Sequence, residues 1–329
     1  AFIIGLALVS CGNQDQPGGG SSGGGSSNTA TAKVDYKGAN RVVFFDFSSG
    51  SIVKEVSHDI WDIAISTKSG MPNVNRLIYN GGIYGSGVMV NSTTGTTFTD
   101  HSGTTISFNP MASASSNPLD GHFPDTGSGS ATGNVFLVQD EAGNTYQCQL
   151  TYTYPMGITL KIRDIAGTAG SEQTVSASFM TDGTRDYIYF DLGSASKVDA
   201  APPSGNWDLK FGRTEWLMGS MAGGRSSVSV NTNKGVESGL VAKSIGDISQ
   251  VSEAGTLSGD LLNVGHGWYS YDHTNKVYNV DADKTWVVKT AEGNYAKIQI
   301  LTFYGPASEQ FYSKFSFWYQ SDGSTNFSK

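Results

Sequence analysis

The sequence predicts an all-β protein, and three observations carry that expectation. Gly supplies 42 of 329 residues, near twice the usual ~7%, and charged residues only 15% against a typical ~25%. Phe (16), Tyr (15) and Trp (6) are abundant, and with Thr, Val and Ile they suit a pleated, half-buried surface. Runs of period two recur, as in Tyr146-Gln147-Cys148-Gln149-Leu150, Tyr295–Phe303 (YAKIQILTF) and Phe311–Tyr319 (FYSKFSFWY). Turn signals such as Glu-Gly-Asn, Ser-Asp-Gly and Thr-Asp-Gly separate such runs. Strong helical segments with caps are absent from the pattern. The expected architecture is two tandem antiparallel, sandwich-like β domains behind a disordered Gly/Ser tether.

The chain opens on Ala1–Val9 (AFIIGLALV), an apolar run too short to span a bilayer, and reaches Cys11 through Leu8-Val9-Ser10. This resembles a bacterial lipoprotein signal with its lipobox, so residues 1–11 read as a signal remnant with Cys11 as the lipidated residue. The charged n-region is missing, which predicts that the leader extends upstream of Ala1. The competing reading is a short apolar strand. Residues 12–35 hold almost no apolar side chains. They cannot offset the entropy of ordering, and read as a flexible linker with a reach of roughly 25 Å. With Cys11 acylated, Cys148 has no intramolecular partner and is expected to pack as a small buried hydrophobe.

The body repeats itself. Arg41-Val-Val-Phe-Phe-Asp-Phe47 recurs as Asp186-Tyr-Ile-Tyr-Phe-Asp-Leu192, and Trp61-Asp62-Ile63 as Trp207-Asp208-Leu209. Val135–Val138 with the Glu-Ala-Gly-Asn turn (141–144) recurs as Trp286–Lys289 with Ala-Glu-Gly-Asn (291–294). The Trp-Asp offset is 207 − 61 = 146 and the Gly-Asn offset 293 − 143 = 150. A period this long means duplication of a domain rather than a solenoid. The boundary falls near Gly183, giving a first unit at 36–183 and a second at 184–329. The recurring Trp and Asp read as framework, the Trp anchoring a core and the Asp fixing a turn.

The net charge is −8 with no basic cluster, which argues against nucleic acid as a partner. No run of 18 apolar residues exists, so the membrane is met through the lipid anchor alone. Catalytic signatures are missing: no Gly-x-Ser-x-Gly, no His-Glu-x-x-His, no phosphate loop and no Cys-x-x-Cys. The protein is not expected to be an enzyme.

Several of these motifs resemble the HmuY family of lipid-anchored outer-membrane proteins named for a haem-binding founder. The marks are the Phe-Asp-Phe strand, Trp61-Asp-Ile-Ala-Ile65, Asn80-Gly81-Gly82, Gly267-Trp268-Tyr269-Ser270-Tyr271 and, most specific, Trp286–Ile298 (WVVKTAEGNYAKI). The resemblance covers about 36–329 as two copies, the second closer. The first copy lacks the Gly-Trp-Tyr segment and the Tyr-Ala-Lys element. The family implies a β fold, haem or another porphyrin as ligand, a surface-exposed site on the bacterial outer membrane, iron acquisition and an outer-membrane transporter as partner.

Haem asks for His or Met axial ligands, an apolar slot and cations for the propionates. His122 and His266 each follow a Gly, at 122 − 61 = 61 and 266 − 207 = 59 residues after the repeated Trp. His273 lies seven residues beyond His266, a spacing that across a hairpin puts both on one face. Met218 and Met221 sit in the Gly-rich stretch Trp216–Arg225 and offer soft ligands. Arg213 and Arg225 are candidates for the propionates. His58 and His101 read as turn and loop residues. The alternative function is a lipid-anchored, non-catalytic interaction module on the same scaffold: an adhesin, a glycan binder or a transporter accessory.

Overall fold

A computed structural model describes residues 30–35, 41–57, 59–66, 77–79, 89–92, 95–108, 133–153, 157–178, 187–213 and 226–327. Twenty strands carry the described chain. They are β1 (Ala30–Asp35), β2 (Arg41–Asp46), β3 (Ser51–Ser57), β4 (Ile63–Ser66), β5 (Leu77–Tyr79), β6 (Met89–Ser92) and β7 (Val135–Gln139). Then follow β8 (Thr145–Thr153), β9 (Gly157–Asp164), β10 (Gln173–Ala177), β11 (Tyr187–Asp191), β12 (Ser196–Val198), β13 (Leu209–Arg213) and β14 (Ser226–Val230). The last are β15 (Glu237–Val241), β16 (Tyr269–Asp272), β17 (Val277–Val280), β18 (Thr285–Lys289), β19 (Tyr295–Tyr304) and β20 (Gln310–Gln320). The all-β expectation holds, and every pairing is antiparallel.

Two five-stranded sheets, β1-β20-β19-β18-β15 and β10-β9-β8-β7-β6, flank two four-stranded sheets, β14-β13-β2-β3 and β12-β11-β4-β5. The pairing scheme of β1–β9 is repeated strand for strand by β10–β15 with β18–β20. The repetition has a twist, because each half lends its first three strands to the other. β2 pairs with β13, Phe45 opposite Leu209 and Val43 opposite Phe211. β11 pairs with β4, Ile188 opposite Ile65 and Phe190 opposite Ile63. At the outer edges β1 closes on β20, and β10 on β9.

Packing follows from the sequence of the inner strands. Val42, Val43, Phe44 and Phe45 are buried in succession, the mark of a strand covered on both faces. Val43 and Phe45 point into one core with Leu209, Phe211, Trp286, Ile298, Phe315 and Phe317. Val42 and Phe44 point the other way, into a middle layer with Trp61, Ala64, Tyr189 and Trp207. Ile63, Ile65, Ile188 and Phe190 complete a third core with Phe136, Leu150 and Leu160. The four sheets therefore stack as layers, and the two Trp residues lie in the seam. Each Trp stands edge-on to an aromatic of the other half: Trp207 to Phe44 and Trp61 to Tyr189, both with ring centroids 5.1 Å apart.

Two expectations are corrected. The division into separate bodies at 36–183 and 184–329 fails because both outer cores draw strands from either side of Gly183. The tether does not run to residue 35, because Ala30–Asp35 form β1, laddered to β20 with Val34 fully buried. Cys148 is buried with a free thiol, as its alternating run predicts, and burial pushes that thiol well above the ordinary range. The segments 1–29 and 36–40, which hold Cys11 and the Gly/Ser run, lie outside the described residues.

A fragment of residues 184–329 is expected not to fold alone. It lacks Val43, Phe45 and Phe47, each worth roughly 1.5–3 kcal/mol buried, and domain stabilities are only about 5–15 kcal/mol. Urea unfolding of the fragment should show no cooperative transition, and a sharp transition would contradict the exchanged topology. Mixing it with residues 1–183 should restore the transition.

Candidate functional site

Two of the predicted ligands, His266 and His273, flank strand β16 of the hairpin β16–β17, in which Tyr269 lies opposite Val280 and Tyr271 opposite Tyr278. Its base is aromatic. Trp268 is buried at 1% exposure and stands edge-on to Tyr269 at 4.5 Å. Tyr278 stacks on Phe303 at 4.1 Å, and its backbone N–H donates to Tyr304 Oη at 2.8 Å. Lys284 Nζ donates to the Gly267 carbonyl at 2.8 Å, pinning the turn that precedes the strand. This apolar foot anchors a hairpin whose own residues Ser270, Tyr271 and Val277 are exposed.

His266 sits in that turn, half-buried, directly after Gly265. Gly265 exchanges both backbone hydrogen bonds with Val228 of β14, each at 2.9 Å. It has φ +50°, and a Cβ there would lie 2.5 Å from the Leu262 carbonyl oxygen, so the turn requires glycine. The bridge has a functional consequence. β13 ends at Arg213, opposite Ser226, the first residue of β14. Val228 is two residues beyond Ser226, roughly 7 Å at strand rise. The bridge thus holds the His266 turn near the end of the sheet where Arg213 pairs with Ser226.

His273 is placed differently. It lies exposed in the turn at the hairpin tip, its ring edge-on to Tyr271 at 5.0 Å. Asp272 fixes that turn by accepting bonds from the Thr274 and Asn275 backbone N–H groups and the Asn275 side chain. Those bonds, the Asn275 side chain first, hold the Asp272 carboxyl below its ordinary range. Six residues separate His266 from His273, four of them the strand β16, which alone spans roughly 13 Å. The seven-residue spacing therefore runs along the hairpin and not across it. Met218, Met221, Arg225, His122 and His58 lie outside the described residues, and of Arg213 only the backbone is described.

Sequence reasoning passed over His101. Its ring lies 2.9 Å from Thr99 Oγ1 beside an open groove of about 640 Å³ lined also by Thr104, Ile106, Phe108, Gln139 and Ile165. The only signal was a lone His among Thr, Ser and Gly, and no pattern there points to a groove. Among the described residues, Asp46, Asp208 and Glu292 also converge, at the seam of the two halves and apart from the hairpin. The recurrence of Phe-Asp and Trp-Asp marked the first two as important without showing that they meet.

Comparison with known proteins finds one family likeness, confined to part of the chain. Residues 183–317 match the family described as HmuY protein, a span that includes β11, the His266 turn and the whole β16–β17 hairpin. No curated protein matches the chain. Among solved structures, apo PinO from Porphyromonas gingivitis aligns over 89% of this chain and 98% of its own, at 11% identity and a TM-score of 0.26. The apo HmuY analogue from Tannerella forsythia aligns over 89% and 95%, at 9% identity and a TM-score of 0.25. The likeness rests on the sequence match. By that match residues 183–317, less than half of the chain, are similar to the HmuY family.

Proposed function

We propose that this protein binds haem or a related porphyrin at the bacterial cell surface, held to the outer membrane through a lipid on Cys11. The observation that carries the reading is the HmuY match over 183–317, the part of the sequence that holds both His266 and the Met218–Arg225 stretch. The donor set suits the ligand. An imidazole and thioethers are accepted axial ligands of haem iron, and the Val228–Gly265 bridge fixes the turn that carries His266. The bound group would supply the iron and an apolar macrocycle. The chain would supply His266 as one axial ligand, Met218 or Met221 as the other, aromatic packing from the β16–β17 foot, and Arg213 or Arg225 for the propionates. His273, beyond the far end of β16 from His266, and His122, the Gly-His of the first half, are secondary candidates. A haem delivered by such a carrier serves iron acquisition, with an outer-membrane transporter as its acceptor and no catalytic step in the protein itself. A second reading, a non-haem interaction module, has the groove beside His101 in its favour.

Haemin titration followed by absorbance tests this directly. The wild type should give a saturable Soret shift, and His266→Ala should weaken binding at least tenfold and move the band. His273→Ala should leave both nearly unchanged. Affinity should fall as pH drops below about 6.5, because a ligating imidazole must be neutral. Absence of any Soret shift in the wild type would hand the protein to the second reading.

Anchoring has its own test. Cys11→Ala should move the protein from the membrane to the soluble fraction, because stable anchoring takes two or more lipid signals and diacylation supplies them. Unchanged partitioning would remove Cys11 as the anchor.

A further inference from the structure

We propose that Asp208 and Asp46 share one proton across the seam between the two halves, forming a pH-set latch that closes the exchanged β2 strand onto the rest of the fold. Asp208 has no solvent exposure. Its Oδ2 accepts the Phe47 N–H at 2.9 Å and its Oδ1 the Ala291 N–H at 2.8 Å. One carboxyl group of the second half thus ties down the end of the first half's inner strand and the β18–β19 turn. Asp46, one residue before Phe47, is 6% exposed. Its Oδ2 accepts from Ser48 Oγ and Ser49 N, both at 2.8 Å, but its Oδ1 is buried without a hydrogen-bond donor. Carboxylate oxygens of Asp46, Asp208 and Glu292 lie within 4.8 Å of one another. Among the described residues no Lys or Arg forms an ion pair with any of the three.

Two ionised carboxylates this close and this buried repel strongly, and a single proton between them removes the conflict. It also gives the orphaned Asp46 Oδ1 the donor that a buried acceptor requires. The groups facing Asp208 come from every neighbouring element. They are Asp46 from the β2 turn, Glu292 from the β18–β19 turn and Tyr319 from β20, none of them a cation. Burial first, then the charges of Glu292 and Asp46, push Asp208 up to about 7, against the pull of its two N–H bonds. The mirror-related Asp62 accepts the Leu192 N–H at 2.7 Å and is pushed up to about 6, by burial first and then by Asp191, Asp140 and Glu141. Tyr146 and Cys148 also face it. There, however, both Asp191 oxygens already accept bonds, from Gly193, Ser194 N and Ser194 Oγ. The shared proton therefore belongs to the Asp46–Asp208 side alone.

A raised folded-state value means that the folded protein holds the proton after the unfolded chain has released it. The stabilisation is complete below pH ~4, declines as pH rises and is lost once pH passes about 7. Between pH 6 and 7 Asp62 passes from half to nearly full ionisation, so its share shrinks and Asp208 comes to dominate. Urea unfolding of the full chain from pH 5 to 8.5 reads this out. In the wild type the unfolding constant should rise up to tenfold per pH unit between 6 and 7 and level off above about 7.5. Asp46→Asn places an amide donor against Asp208 and removes the competing charge, so it should flatten that interval. Glu292→Gln, an exposed change outside the hydrogen bonds, keeps the latch but should move the levelling point to lower pH, and it decides the matter even if Asp46→Asn folds poorly. The proposal fails if Asp46→Asn keeps the wild-type slope or if Glu292→Gln leaves the levelling point in place. It also fails if calcium raises wild-type stability at pH 8 but not that of Asp46→Asn, since a cation and not a proton would then bridge the pair.

Discussion

The architecture depends on one constraint: the strands β2 and β11 are apolar on both faces and must be covered on both. A strand of that kind cannot lie at the outside of a two-layer sandwich without exposing Phe or Tyr to water. The chain meets the constraint by stacking four sheets and placing the two inner sheets at the centre, each built by one strand pair from either half. Trp61 and Trp207 then fill the seam, where each meets the aromatic that the opposite half presents. Removing either half would strip one face from every inner strand of the other, so the two halves stand or fall together.

The same arrangement explains where a ligand site can be built. The inner layers are filled, and the outer sheets present edges and hairpin ends. The β16–β17 hairpin of the second half stands on Trp268, Tyr278 and Phe303. Its root is fixed by the glycine bridge to β14, so the turn that carries His266 is held near the end of the sheet where Arg213 pairs with Ser226. A rigid foot with an exposed tip suits a binding element: the packing holds the position, and the exposed residues remain available for contact.

Much of this was legible in the residues. The strand class followed from alternating runs and Gly-bearing turns, and the repeat from the recurring Phe-Asp, Trp-Asp and Gly-Asn pairs. What escaped was pairing across the repeat. Two similar strands offer similar partners locally, and only the demand to cover Val42–Phe45 on both faces selects the exchange. β1 was unreadable for a related reason, because Ala-Thr-Ala-Lys-Val-Asp has little apolar content of its own and is ordered by the β20 ladder. His266 and His273 share a register-like spacing, but spacing does not say whether a turn or a strand lies between them. The Asp residues were recognised as framework. Their shared electrostatics arises only where turns some 160 residues apart in the chain converge, as in the Asp208–Phe47 hydrogen bond, which spans 161 positions.

Native-state hydrogen exchange tests the exchanged topology most directly. The account predicts that the amides of β2 and β13, and those of β4 and β11, open in one cooperative event with the free energy of global unfolding. If β2 instead exchanged together with β4 while β13 and β11 opened separately at a different free energy, the two halves would be independent bodies and the exchange of strands between them would be refuted.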